Sequence, residues 1–304
     1  MAVISVYQRP ETVFYKSSVC SKASLVVLVL FVTTVVTPLI IVYRSQGLWI
    51  KEAEYREQPN VLFKHQMLLV VETSDGPLVW SSSSIYNSHM KNYLRTPLIK
   101  SSETDDNYDG WKDKLQFSLT LPLLANEFVY GASLLITFDY RLQHICHVIL
   151  EGTGLLQHSS GTPISALYHH ADLVLHQRHP LPYARTHSLY DISVFPNSDD
   201  SPVKWALSNI LNDYWKRNIT TRFSNTYTSW QSGSGDTFTL KLEVRYPEQT
   251  VRYIPGFWYV LKWAWVQYFS LLAVILFFTN LVKDWVFQNF IVSTWMDVPK
   301  KKLT

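Results

Sequence analysis

Apolar residues follow two different patterns along this chain. In the first, charge vanishes: residues 24–43 and 263–282 each lack Asp, Glu, Lys and Arg. Lys22 and Arg44 bracket the first run, and Lys262 and Lys283 the second. A bilayer's hydrocarbon core needs about 20 such residues as a helix. A soluble helix of that length would carry a polar stripe on one face, and neither run does. Both are read as transmembrane helices. Pro38, inside the first run, predicts a kink or the outer end of the span. The first run is long, starts late and lacks a small-residue cleavage pattern before Arg44, so it reads as an uncleaved anchor, not a signal peptide.

The second pattern lies between the spans and has period two. Residues 238–246 (FTLKLEVRY) and 115–121 (LQFSLTL) alternate cleanly, so one face of each strand is buried and the other wet. Longer β-rich runs cover 61–72 and 129–150, long enough to be buried on both faces or bent, and a shorter one covers 188–195. Turn chemistry separates them at 74–77, Asp109-Gly110, Gly152-Thr153-Gly154, 196–199 and 232–235. A helical stripe of Val203, Ala206, Leu207, Ile210, Leu211 and Tyr214 predicts a helix over 203–217, with Ser201 as N-cap and Pro202 in the first turn. The predicted fold class is therefore two transmembrane α-helices flanking a mainly-β domain, a β-sandwich with one or two helices. The implied order is tail 1–23, span 24–43, β-rich domain 44–256, span 263–282 and tail 283–304.

Charge sets the orientation. Arg9, Lys16 and Lys22 in the first tail, and Lys283 with Lys300-Lys301-Lys302 in the last, outnumber the tail acids. By the positive-inside rule both tails are expected in the cytosol and the β-rich domain in the lumen or outside the cell. Asn218-Ile219-Thr220 is a glycosylation sequon on the outer side of this arrangement. Aromatic residues between Pro255 and Trp265 form an interfacial girdle at the entry to the second span. Inside that span, Gln267, Ser270, Thr279 and Asn280 are polar; Gln267 and Asn280 are the candidates for packing against a neighbouring helix.

Composition narrows the chemistry. The net charge of +3 shows no basic stripe of the kind that binds nucleic acid. Two cysteines, Cys20 and Cys146, cannot build a disulfide framework, and Cys146 is expected to be buried. No GxSxG, HExxH or P-loop motif occurs, so no enzyme class is indicated. Histidines crowd between His144 and His187, but His144 and His147, three apart in a strand-like run, point to opposite faces. Exposed or core-edge histidines are the default reading, with zinc as the alternative.

The acidic stretch 105–113, DDNYDGWKD, carries more. Asp105, Asn107, Asp109 and Asp113 fall at positions 1, 3, 5 and 9 of a calcium loop, Trp111 would offer its carbonyl at position 7, and Gly110 permits the turn at position 6. Gln116 stands where an EF-hand has its bidentate Glu. A structural Ca2+ is one reading; an acidic hairpin turned at Asp109-Gly110 is the other.

Several blocks in order resemble the transmembrane protein 231 family. They are YRSQGLW at 43–49, EQPNVLFKHQ at 57–66, the 105–113 loop running into LQFSLTLPL, RNITT at 217–221, PGFW at 255–258, WVQY at 265–268 and VFQN at 286–289. The segment 155–200 carries least of the likeness. The resemblance implies a two-span, non-enzymatic protein of the ciliary transition zone within the Meckel syndrome complex. Tectonic proteins, meckelin and other small transmembrane proteins would be its partners. The implied role is in the diffusion barrier for ciliary membrane proteins, cilium formation and Hedgehog signalling. Two other classes are kept open: a two-span channel subunit, and a lumenal ligand-binding protein or enzyme.

Overall fold

The structure, a computed structural model, describes residues 13–45, 52–183, 185–196 and 202–297. In chain order its elements are β1 (Phe14–Lys16), α1 (Lys22–Arg44), β2 (Ala53–Glu57), β3 (Asn60–Thr73), β4 (Gly76–Ser81), α2 (Ser84–His89), β5 (Leu98–Thr104), β6 (Lys114–Pro122), β7 (Val129–Leu142), β8 (His147–Ser159), β9 (Ile164–Gln177), β10 (Leu181–Pro182), β11 (Thr186–Tyr190), α3 (Leu207–Trp215), β12 (Ile219–Ser232), β13 (Thr237–Arg245), β14 (Gln249–Ile254), α4 (Phe257–Gln288) and β15 (Trp295–Asp297). They fall into two units, Glu52–Ile254 and the flanking Met1–Lys51 with Pro255–Thr304.

The central unit is a sandwich of two five-stranded sheets, ordered β11-β8-β7-β3-β4 and β12-β9-β13-β6-β5. The alternation in β13 turns Phe238, Leu240, Leu242 and Val244 inward, in register with Leu121, Leu119, Phe117 and Leu115 of β6. Leu134, Ile136, Phe138 and Tyr140 of β7 meet them from the facing sheet, with Phe63, Leu69 and Val71 of β3 beside them. Each such side chain, fully buried, contributes roughly 1.5–3 kcal/mol. The long runs in β3 and β7 are buried on both faces. Leu68 and Leu135 point away from the main core into a second cluster with Val79, Tyr86, Phe195, Trp205 and Ile210.

A bulge keeps β3 in phase. Phe63 pairs with Phe138 and Met67 with Ile136, so Lys64, His65 and Gln66 face Thr137 alone. The two extra residues preserve the in–out alternation, at the expense of a positive φ of 57° at His65.

Four sequence expectations need correction. The run 129–150 is not one strand: β7 ends at Leu142 and a turn leads into β8 at His147. Gly152-Thr153-Gly154 is not a turn but the interior of β8. The glycines serve close approach there, because Thr221 and Phe223 of β12 lie directly on the bare backbone. A Cβ at Gly152 would sit 2.5 Å from Thr221 Oγ1, and one at Gly154 2.1 Å from Phe223 Cζ. Finally, the helix expected over 203–217 is broken. A 3-10 turn, Pro202–Trp205, precedes α3, because Ala206 is extended (φ −61°, ψ 132°). Trp205 thereby stacks on Phe195 and Tyr86, while Val203 is left exposed. The proposed Ser201 cap lies outside the described residues, as does most of the 196–199 turn. The strand expected over 188–195 is the shorter β11, ending at Tyr190.

Three short strands, β10-β14-β2, form a further sheet. β2 and β14 are the first and last strands of the sandwich unit and run antiparallel, pairing Ala53 with Tyr253 and Glu57 with Gln249. The chain therefore enters and leaves the unit at neighbouring points.

In the flanking unit, α1 and α4 are both long and apolar enough to cross a membrane. Ser21 caps α1, accepting a hydrogen bond from Ser24 N at 3.2 Å. Pro38 neither ends the helix nor stands outside it; it is buried, as are Thr34 and Val42. The 32 residues of α4 make a rod of about 48 Å, longer than the roughly 30 Å hydrocarbon core of a bilayer. Beyond the helices the two tails meet: β1 and β15 pair antiparallel, Tyr15 opposite Met296.

Gly154→Ala should destabilise the full-length protein by about 1–3 kcal/mol, through overpacking against the Phe223 ring. Denaturant unfolding in detergent checks this, and an unchanged midpoint would show that β8 and β12 are not closely apposed.

Candidate functional sites in the acidic loop and between the helices

The 105–113 stretch connects β5 to β6. Asp113 closes it. Its Oδ2 accepts hydrogen bonds from Asp106 N (2.8 Å) and Asn107 N (3.3 Å), and its Oδ1 accepts one from Gln58 Nε2 (2.9 Å). Its backbone N donates to Thr104 O, and its carbonyl accepts from Tyr246 N. Asn107 and Asp109 follow Asx-turn geometry, and Asp105 reaches across the loop. Asn107 Oδ1 accepts from Asp109 N, Asp109 Oδ1 from Trp111 N, and Asp105 Oδ2 from Gly110 N at 2.9 Å. Tyr108 and Gly110 take the positive φ values, 59° and 90°, that this tight path demands. The second carboxylate oxygen of Asp109 holds Asn107 Nδ2, and Lys114 pairs with Asp106. Asp105 Oδ1 is shielded from solvent and has no hydrogen-bond partner. Among the described residues no three His, Cys, Asp or Glu side chains converge as metal ligands. The hydrogen bonds from Gln58 and then from the backbone of Asp106 hold the Asp113 carboxyl below its ordinary range.

The histidines are dispersed. His169 is the buried one; its Nδ1 lies 2.8 Å from Thr228 Oγ1, and burial, then His170 and His158, pull it below its ordinary pKa. His158 packs against Trp230, and His170 approaches Glu243 on the outer face of the second sheet. A shallow depression of about 390 Å³ there is lined by Lys100, Gln116, Tyr168, His170, Lys241 and Glu243. Cys146 is fully buried, with burial raising its thiol, and Cys20 is exposed.

A buried ionic node on β8 has no local signature in the sequence. Glu151, 2% exposed, pairs with Lys64 from the β3 bulge and accepts a hydrogen bond from Val194 N at 2.8 Å. Arg217 donates to the carbonyls of Glu151 and Ile192, both at 3.2 Å, and lies against the rings of Tyr214 and Tyr190. Together these pin the segment after β11 to the sheet. Nearby, Thr221 Oγ1 accepts from Thr153 N (2.7 Å) and donates to Thr153 O (2.8 Å), acting as a substitute neighbour strand for the edge of β8. Asn218, just before β12, is half-buried, and its backbone N donates to Tyr190 Oη.

Between the helices, Thr34 Oγ1 lies 3.1 Å from Thr279 Oγ1, and Tyr268 Oη donates to Val35 O. Thr34, in the first span, carries no sequence signal that sets it apart from its neighbour Thr33. Gln267 Oε1 is shielded and has no partner. Asn280 is exposed beside a groove of about 320 Å³ lined by Val27, Leu30, Thr34, Leu276 and Thr279. Most remaining surface of both helices is exposed apolar side chain, such as Leu28, Phe31, Phe269 and Phe277.

A helical pair with a hydrocarbon exterior, joined in sequence to a water-adapted sandwich, defines a two-span membrane protein with one folded domain between its spans. The family model described as "Transmembrane protein 231" matches residues 1–296, and the chain belongs to that family. Relatives named "Transmembrane protein 231" are 39% identical in Xenopus tropicalis (97% of this chain, 96% of the relative), 38% in Homo sapiens (97% and 95%) and 37% in Gallus gallus (97% and 94%). No solved structure matches the chain.

Asp113 makes the loop sensitive to acid. A carboxylate whose folded pKa lies below its unfolded value of about 3.9 stabilises the fold above that value, and the contribution is lost as pH falls through the folded pKa. Asp113→Asn should therefore lower stability at neutral pH and flatten its decline below about pH 4. Unfolding midpoints across an acid series check this; parallel curves for the two proteins would contradict it.

Proposed function

We propose that this protein is a non-enzymatic structural component of the ciliary transition zone. There it would help form the barrier that controls ciliary membrane composition, cilium formation and Hedgehog signalling. Both tails would lie in the cytosol and the sandwich in the lumen or outside the cell, with Asn218 glycosylated. The observation that carries this reading is family membership across both spans and the whole intervening domain.

The geometry supports action by assembly. Among the described residues Gln267 Oε1 has no hydrogen-bond partner, and Asn280 is exposed on the second helix. In lipid such groups favour association with a neighbouring helix. Helices of tectonic proteins, meckelin or other small transmembrane proteins of the complex would supply those partners.

In ciliated cells the tagged protein should concentrate at the ciliary base and co-purify with tectonics and meckelin. Gln267→Leu with Asn280→Leu should insert normally yet recover several-fold less of those partners. Uniform distribution over the plasma membrane would overturn the proposal.

We propose further that the 105–113 loop takes a structural Ca2+, with Asp105, Asn107, Asp109, Asp113 and the Trp111 carbonyl as its oxygen donors. The unpartnered Asp105 Oδ1 supports this reading. Binding would require Asn107 and Asp109 to release their mutual hydrogen bond, in keeping with a weak site of about 0.1–1 mM, the range of extracellular modules. Calorimetry on the full-length protein should show calcium uptake that Asp105→Asn abolishes. No heat and an unchanged melting temperature at millimolar calcium would reject it.

A further inference from the structure

The ribbon formed by the two tails carries apolar side chains that the chain itself leaves uncovered. Trp295 is 79% exposed, Phe14 54% and Met296 49%. A two-stranded ribbon is marginal in water even when far longer than the three-residue strands here. Something must cover it.

The path into the ribbon indicates what does. At the end of α4, Ile291 N donates to Val286 O and Phe290 N to Phe287 O, the paired bonds of a Schellman stop. Glycine normally occupies the left-handed position of that motif. Here it is Phe290, at φ 53°, a left-handed conformation that is unfavourable for a bulky residue. Its ring is 59% exposed, as is much of Ile291 beside it. An aromatic residue is thus held in a strained conformation while most of its surface stays uncovered. The reversal turns the chain back so that β15 meets β1, and Tyr15 packs on Phe287 in the last turn of α4, centroids 5.8 Å apart. The ribbon therefore lies against the end of a membrane-spanning helix. The charge-free runs stop 10 residues from Phe14, 8 from Phe290 and 13 from Trp295, and the Tyr15–Phe287 contact folds the ribbon back toward that boundary. Trp and Phe beside polar backbone are suited to the headgroup–acyl boundary. Lys16, paired with Asp297, gives the ribbon a polar, charge-balanced side.

We propose that β1 and β15 form an interfacial clasp. The ribbon lies in the lipid headgroup layer of the leaflet where α1 begins and α4 ends, with Phe14, Phe290, Ile291, Trp295 and Met296 inserted toward the acyl chains. The clasp ties the ends of the two helices to each other and fixes their depth in the bilayer. Its occupant is lipid, not a protein partner.

The test uses the full chain in phosphatidylcholine nanodiscs. Cys20→Ser removes the exposed thiol, and the buried Cys146 stays unlabelled. Trp295→Cys then carries an environment-sensitive fluorophore. The expected result is blue-shifted emission, quenched several-fold more strongly by lipid nitroxides near the headgroup than by aqueous iodide. In a second variant, Tyr15→Cys with Met296→Cys should cross-link under mild oxidation, which reports the ribbon independently of its depth. Failure to cross-link would overturn the proposal because no ribbon forms. Cross-linking with full iodide access would overturn it because the ribbon faces water. Protection that arises only after addition of a partner protein would also overturn it.

Discussion

Phe138 is the contact on which both sheets close. It is fully buried on β7, paired in register with Phe63 on one side and Gly152 on the other. Across the sandwich its ring meets Phe223 and Tyr246, with centroids 6.4 and 6.0 Å away. These partners come from strands far apart in sequence. The aromatic cluster can form only if β3 keeps its phase through the His65 bulge and β8 presents bare glycine backbone to β12. Local irregularities that look like defects are thus conditions of one central packing arrangement. Tyr246 carries the constraint onward. Its backbone N donates to the Asp113 carbonyl, so the core and the acidic loop are fixed by a single residue.

The membrane unit obeys a different rule. Hydrocarbon offers no hydrogen bonds, so backbone groups are satisfied within helices and side-chain polar groups must find partners. Thr34 and Thr279 do so locally, each donating to a carbonyl one turn back while facing the other. Thr34 and Thr279 thus complete this chain's own hairpin, whereas Asn280 is exposed and Gln267 keeps a shielded, unpartnered oxygen.

Much of this was legible in the sequence. The charge-free runs, the period-two alternation of β6 and β13 and the hairpin at Ser74–Gly76 depend on local chemistry, which a single chain displays. The misreadings share a different cause. Glycine in Gly152-Thr153-Gly154 reads as a turn until Thr221 and Phe223 are seen lying on it, and those residues are distant in sequence. The helix at 203–217 breaks because Trp205 has a pocket between Tyr86 and Phe195, again a tertiary matter. In the acidic loop the chain takes a tight path, with positive φ at Tyr108 and Gly110. Asp113 is its main internal acceptor, taking the Asp106 and Asn107 amides from within the motif and Gln58 Nε2 from outside it. The Glu151–Arg217 node had no local signature at all.

The antiparallel pairing of β2 with β14 has a mechanical consequence. The chain enters the sandwich at Ala53 beside the point where it leaves, at Tyr253. Tension that spreads the two helices apart is applied to adjacent ends of one strand pair. Such a load peels hydrogen bonds one after another, beginning at Ala53–Tyr253 and ending at Glu57–Gln249, instead of shearing them all at once. Tension that draws both helices together in the same direction leaves the pair unloaded. Loaded from these adjacent ends, the strand pair opens as a zipper.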